Sequence, residues 1–220
     1  MGILQLPTRE TLEQCMRDVV ASLKRRNREY YFFGGVSCQL LANTPRPTAD
    51  IDIVVDNASM ALPNPRDWLA DQPFFWSAKH AQYVWATVTG HEDEDNVIYQ
   101  GRRFVDIDVN VAGWGSFPKF GSINLVPLPG HYGLSLSREW LLKLKLAGWA
   151  EKSRREGPKR ANDYLDVVAL RRAMYVEGEL LDTDALSGQM KDGLRYWVQE
   201  FGDDREWRRI GVAFQLGRIW

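Results

Sequence analysis

Residues 31–56 read YFFGGVSCQLLANTPRPTADIDIVVD, and the fold turns on how they are read. With Tyr30 ahead of them, Tyr31, Phe32 and Phe33 form an aromatic run of strand type. Gly34-Gly35 ends that run, and Val36-Ser37-Cys38-Gln39-Leu40-Leu41 continues as a short apolar helix. The Pro-rich piece Thr44-Pro45-Arg46-Pro47-Thr48 is a turn. A second strand then alternates Asp50-Ile51-Asp52-Ile53. Side chains along a strand point to opposite faces in turn, so Asp50 and Asp52 share one face while Ile51 and Ile53 take the other. Carboxylates on so apolar a strand are costly unless they are paired or hold a metal.

The same alternation returns in the strand expected from Arg103 to Val111. Val105, Ile107, Val109 and Val111 line one face, and Asp106, Asp108 and Asn110 line the other. Alone, this is also how a half-exposed antiparallel strand reads. Beside Asp50 and Asp52 it becomes a second acidic ridge in the same sheet. Gly34 and Gly35 let the backbone approach a ligand closely, and a helix that opens there turns free N–H groups toward a phosphate. A plain strand-to-helix turn has the same signature. Ser37 either donates to a phosphate oxygen or caps its helix.

Upstream, Leu12, Cys15, Met16, Val19, Val20 and Leu23 recur at helical spacing, which predicts a helix over residues 8–27 capped by Thr8. Lys24, Arg25, Arg26 and Arg28 suit the negative end of its dipole. Downstream, Asn64-Pro65 opens a short helix to about residue 72, and strands are expected from Phe74 to Ala78, Tyr83 to Thr89, Val97 to Gln100 and Ser122 to Leu128. His91-Glu92-Asp93-Glu94-Asp95 is an acidic connector. From about residue 132 the chain reads as helical, with Ser137 capping a helix that runs to about Glu151 and further helices near 183–200 and 204–218. The expected division is 1–131 and 132–220.

The chain of 220 residues carries a formal net charge of −1, so no global field draws it to nucleic acid or membrane. Cys15 and Cys38 make neither a disulfide framework nor a zinc pattern, and His80, His91 and His131 fit no ligand spacing. The nine Trp are a high count, read first as core and second as lining for a flat ligand. No stretch approaches a membrane span and no secretory leader is visible, so the expected location is cytoplasmic.

The succession of strand, Gly34-Gly35, helix, Asp50-Ile51-Asp52 and a later Asp-bearing strand resembles the nucleotidyltransferase superfamily with the polymerase-beta-like core. Arg46-x-Thr48-x-Asp50-x-Asp52 looks like its branch of abortive-infection toxins and small antibiotic nucleotidyltransferases. The resemblance implies an α/β (α+β) fold: a mixed sheet with flanking helices and a helical C-terminal part. It implies a nucleotidyltransferase that moves a nucleoside monophosphate from an NTP such as ATP to a hydroxyl, releasing pyrophosphate. The acceptor is left open among an RNA end, a protein and a small molecule. The alternatives are a non-catalytic nucleotide-binding or toxin-system protein on this fold, and other chemistry on a small metabolite.

Asp50, Asp52, Asp106 and Asp108 are the catalytic candidates under this resemblance. Asp50, Asp52 and Asp106 are the expected ligands of Mg²⁺ or Mn²⁺, with Asp106 preferred over Asp108 because Arg103-Phe104-Val105 precede it. Gly34, Gly35, Ser37, Arg46 and Lys145 are the nucleotide-binding candidates. Lys145, the basic loop over 152–160 and Asp163-x-x-Asp166 resemble the family's second half. The loop is a candidate contact for RNA, and one of the two aspartates is a candidate partner that orients Lys145.

Overall fold

The computed structural model describes residues 6–56, 75–79, 82–86 and 104–214. The expected helix over 64–72, the 91–95 connector and the strand at 97–100 lie outside the described residues. Helix α1 (Arg9–Arg25) opens on the Thr8 side chain, which accepts the Thr11 amide, and carries Lys24 and Arg25 in its last turn. Strand β1 (Tyr30–Phe33) leads straight into α2 (Gly34–Ala42), and β2 (Asp50–Val55) follows the proline turn. Then come β3 (Phe75–Lys79), β4 (Gln82–Ala86), β5 (Phe104–Val111), β6 (Leu125–Pro127) and β7 (Leu134–Leu136).

These seven strands form one mixed sheet in the order β3-β4-β5-β2-β1-β7-β6. β2 runs parallel to β5 and antiparallel to β1. The register sets Asp50 opposite Asp106 and Asp52 opposite Asp108, so both acidic ridges lie on one face of two adjacent strands. On the other face Ile51, Ile53, Val105 and Ile107 are fully or almost fully buried, as are Cys15, Met16 and Val19 of α1. Partnered residues of neighbouring strands point the same way, so Tyr31 and Phe33 share the aspartate face. Tyr31 donates its hydroxyl to the Pro118 carbonyl, and Phe33 meets the Phe117 ring edge-on with centroids 4.8 Å apart. The loop after β5 therefore covers the β1 side of the aspartate face and leaves the β5 side open: Asp106 is exposed and Asp108 half-buried.

Strand β7 corrects the expectation of helix from residue 132. Its three residues are too few to show a period, and tertiary pairing makes the strand: Ser135 lies opposite Phe32 and donates its hydroxyl to the Phe32 carbonyl at 3.0 Å. β6 is likewise shorter than the expected 122–128.

Helices α3 (Arg138–Ala150), α4 (Lys152–Arg155), α5 (Arg160–Glu177), α6 (Gly188–Phe201) and α7 (Asp204–Arg208) follow. The described chain divides into two compact units, one of Met1–Val36 and Pro47–Ser135, the other of Ser37–Arg46 and Leu136–Trp220. In the second unit α3 packs against α5 and α6. Gly193 of α6 lies against the Leu146 carbonyl of α3, where any Cβ would fall 1.8 Å from that oxygen. Three of the tryptophans, Trp149, Trp197 and Trp207, are completely buried here, with Phe201 and Tyr164 stacked around Trp197. They are core, as the first reading of the Trp count has it. Asp203 closes the cluster by accepting from both indole N–H groups of Trp197 and Trp207 and from Arg171. No helix among the described residues is long and apolar enough to cross a membrane.

Candidate active site

The aspartate face brings three carboxylates together. One oxygen each from Asp50, Asp52 and Asp108 lie within 4.8 Å of one another, and all three side chains are half-buried. Hard oxygen donors at this separation suit a divalent cation such as Mg²⁺. Asp106 stands outside the group, although it was the preferred third ligand. It is exposed and sits one strand repeat away, opposite Asp50 rather than Asp52. Although the residue is exposed overall, partial desolvation of its carboxyl, and then the nearby charges of Asp108 and Asp50, push that group above the ordinary carboxylate range.

Two carboxylates of the triad have close neighbours. Thr48 donates its hydroxyl to Asp50 at 2.6 Å, and Thr48 is itself 5% exposed. Gly34, with φ +66°, lies so close to Asp52 that a Cβ would fall 1.8 Å from its Oδ2. The glycine is needed twice over, for a left-handed backbone and for room beside the carboxylate. Gly34→Ala is expected to cost roughly 2–4 kcal/mol of folding stability. Urea unfolding measures this; an unchanged midpoint would show that Asp52 is not packed against Gly34.

Gly34 and Gly35 open α2 itself, so Ser37 stands inside the first turn, fully buried, and not at the capping position. Arg46 and Lys145 have carboxylate partners within the second unit. Arg46 makes a two-pronged pair with Asp166, Nε to Oδ1 at 2.9 Å and Nη2 to Oδ2 at 2.7 Å. Lys145 reaches Asp166 at 2.7 Å and Asp163 at 3.0 Å. Arg154 forks onto Asp163. Asp163 and Asp166 are buried, at 1% and 0% exposure, so these cations neutralise two carboxylates held away from water. Burial works against the Lys145 ammonium, but Cys38, Asp166 and Asp163 outweigh it, and its pKa lies above the ordinary lysine range.

The basic loop is also largely engaged. Arg155 donates to the Trp149 and Ala150 carbonyls and lies over the Tyr196 ring, Arg160 pairs with Glu200, and Lys152 comes within 3.9 Å of Glu156. From the sequence, Thr48 carries no role of its own, and Arg154 belongs to a basic loop that is either solvated or a phosphate contact. For Thr48 the signal was present, because a residue two before Asp50 in extended chain falls on its face.

Burial raises the Asp163 carboxyl, but Lys145 and Arg154 more than reverse this, and its net shift is downward. A carboxylate with a lowered folded pKa stabilises the fold above its unfolded pKa and loses that contribution as pH falls through the folded value. Asp163→Asn should therefore destabilise the protein near neutral pH, with the difference from wild type narrowing below about pH 4. Urea midpoints taken across that range check this, and a difference independent of pH would contradict it.

Neither a protein-family model nor a curated protein sequence matches the chain. Among solved structures, an antigenic nucleotidyltransferase-like protein from Paracoccidioides brasiliensis superposes with a TM-score of 0.68 at 18% identity, over 93% of this chain and 95% of that one. The antibiotic-resistance factor ANT(2'')-Ia is matched over 90% of this chain and 97% of its own, with a TM-score of 0.46 at 12% identity.

Proposed function

We propose that this chain, whose fold is nucleotidyltransferase-like, moves a nucleoside monophosphate from an NTP to a hydroxyl and releases pyrophosphate. The observation that carries the reading is the meeting of Asp50, Asp52 and Asp108 on one sheet face, at the strand that leads out of a Gly-opened helix turn. The donor set is all oxygen and anionic, which fits Mg²⁺ or Mn²⁺. A bound divalent cation supplies charge neutralisation on the triphosphate as negative charge moves to the leaving group.

The chain's own residues do the rest by placement. Asp50, Asp52 and Asp108 fix where the cation sits. Gly34 and Gly35 present the start of α2 without side chains, so phosphate oxygens can approach its free N–H groups. Asp106, exposed beside the triad, accepts the hydrogen bond of the incoming hydroxyl. The hydroxyl oxygen bonds to the α-phosphorus as the bridging bond from the α-phosphorus to the β-phosphate oxygen breaks; the electron pair of that bond leaves with pyrophosphate, and the hydroxyl proton passes to solvent water. Arg46 and Lys145, paired with Asp166 and Asp163, hold helix α5 in place within the second unit.

Pyrophosphate release from each of the four NTPs, measured with Mg²⁺ and with RNA, protein and small-molecule fractions in turn, tests the reading and finds the acceptor class. Release in one fraction, lost in Asp52→Asn, supports it. No release with any NTP in any fraction counts against it.

A further inference from the structure

The structure assigns Thr48 as a positioning residue for the cation site: its hydroxyl sets the orientation of the Asp50 carboxylate. The inference rests on the reading of Asp50, Asp52 and Asp108 as a divalent-cation site. Three carboxylates with oxygens within 4.8 Å repel one another until a cation arrives. Without a cation, a carboxylate free to turn would swing its oxygens outward. Asp50 is prevented from doing so. Thr48 donates to its Oδ1 at 2.6 Å, the length of a hydrogen bond to an ionised acceptor. The donor is hardly free to move, because Thr48 is 5% exposed and lies in the turn just before β2. The bond also leaves lone pairs on both Asp50 oxygens for a metal, since a carboxylate has about four acceptor positions.

Asp52 packs directly against Gly34, where any Cβ would fall 1.8 Å from its Oδ2. Partners that hold a ligand in place affect metal affinity by about 10-fold to 100-fold.

The test is Mn²⁺ titration of the full chain, by calorimetry or by the loss of free-ion paramagnetic signal, with no nucleotide present. Thr48→Val keeps the shape and removes the donor. Thr48→Ser keeps the donor and removes the methyl, and Thr48→Ala removes both. Affinity is expected to follow the hydroxyl: serine close to wild type, valine and alanine weaker by about tenfold or more. A packing role would follow the methyl instead, with valine binding well and serine poorly, and that order overturns the inference. Equal affinity in Thr48→Val and wild type overturns it too. Asp52→Asn separates this from failure of the underlying reading. If wild-type Mn²⁺ binding is untouched by Asp52→Asn, the cation site is elsewhere, and both the reading and the role of Thr48 fall.

Discussion

Asp108→Asn is expected to lower nucleotidyl transfer at least about a thousandfold, because several kcal/mol of charge stabilisation depends on a correctly held cation. Asp106→Asn should keep most of its turnover number and lose mainly in KM for the acceptor. The two residues share a face of β5 and differ only in what lies beside them. Parallel pairing places Asp108 level with Asp52, and the carboxylates of these two and Asp50 converge. Asp106 is level with Asp50 and open to solvent. Initial-rate measurements on both variants, with saturating Mg²⁺, decide the register. A dead Asp106→Asn beside an active Asp108→Asn would reverse it.

Asp166→Ala should destabilise the protein by about 3–5 kcal/mol, the usual result of stripping a buried ion pair of one partner. Asp166 is fully buried and carries both Arg46, at 8% side-chain exposure, and Lys145, at 12%. Alanine would leave the Arg46 guanidinium without its carboxylate and Lys145 with Asp163 alone, in a place where water cannot compensate. Replacing the three groups together, as Arg46→Met, Lys145→Met and Asp166→Leu, removes the stranded charges and should recover much of the loss. Urea unfolding of the single and triple variants measures both. A single variant as stable as wild type would mean the three groups are not buried together.

Part of this was legible in the residues and part was not. The strand alternation of Asp50-Ile51-Asp52-Ile53 and Val105–Val111 named the acidic face, since a period of two needs no tertiary information. Thr8 and Ser137 as helix caps were legible for the same local reason, and both accept the expected amide. Choosing between Asp106 and Asp108 was different. Both stand at equivalent positions of one strand, and only the register against β2 separates them; registry between strands is set by the whole sheet. The preference for Asp106 leaned on the residues before it, which do not determine what lies across from it.

The carboxylate partners of the two cations were not legible locally either. Arg46 precedes the acidic strand and Lys145 lies on a helix with apolar neighbours, so each reads as a phosphate ligand when its own partners are unseen. Their partners are 120 and 18–21 residues away in sequence, on α5. The resemblance of Asp163-x-x-Asp166 to the family's second half offered one of the two aspartates as a partner for Lys145, beside a plain helix-dipole role, and in the structure both aspartates pair with it. β7 was missed because three residues carry no period, and its place beside β1 comes from pairing with Phe32.

The most direct test of the central claim follows each end of one nucleotide. The full chain is incubated with Mg²⁺, a cell extract as source of acceptors, and one NTP labelled at either the α or the γ phosphate. The α label is expected to enter an acceptor and the γ label to appear only in pyrophosphate, with both events lost in Asp52→Asn and on chelation of the metal. Transfer of the γ label to an acceptor, or α transfer that survives Asp52→Asn, would contradict it.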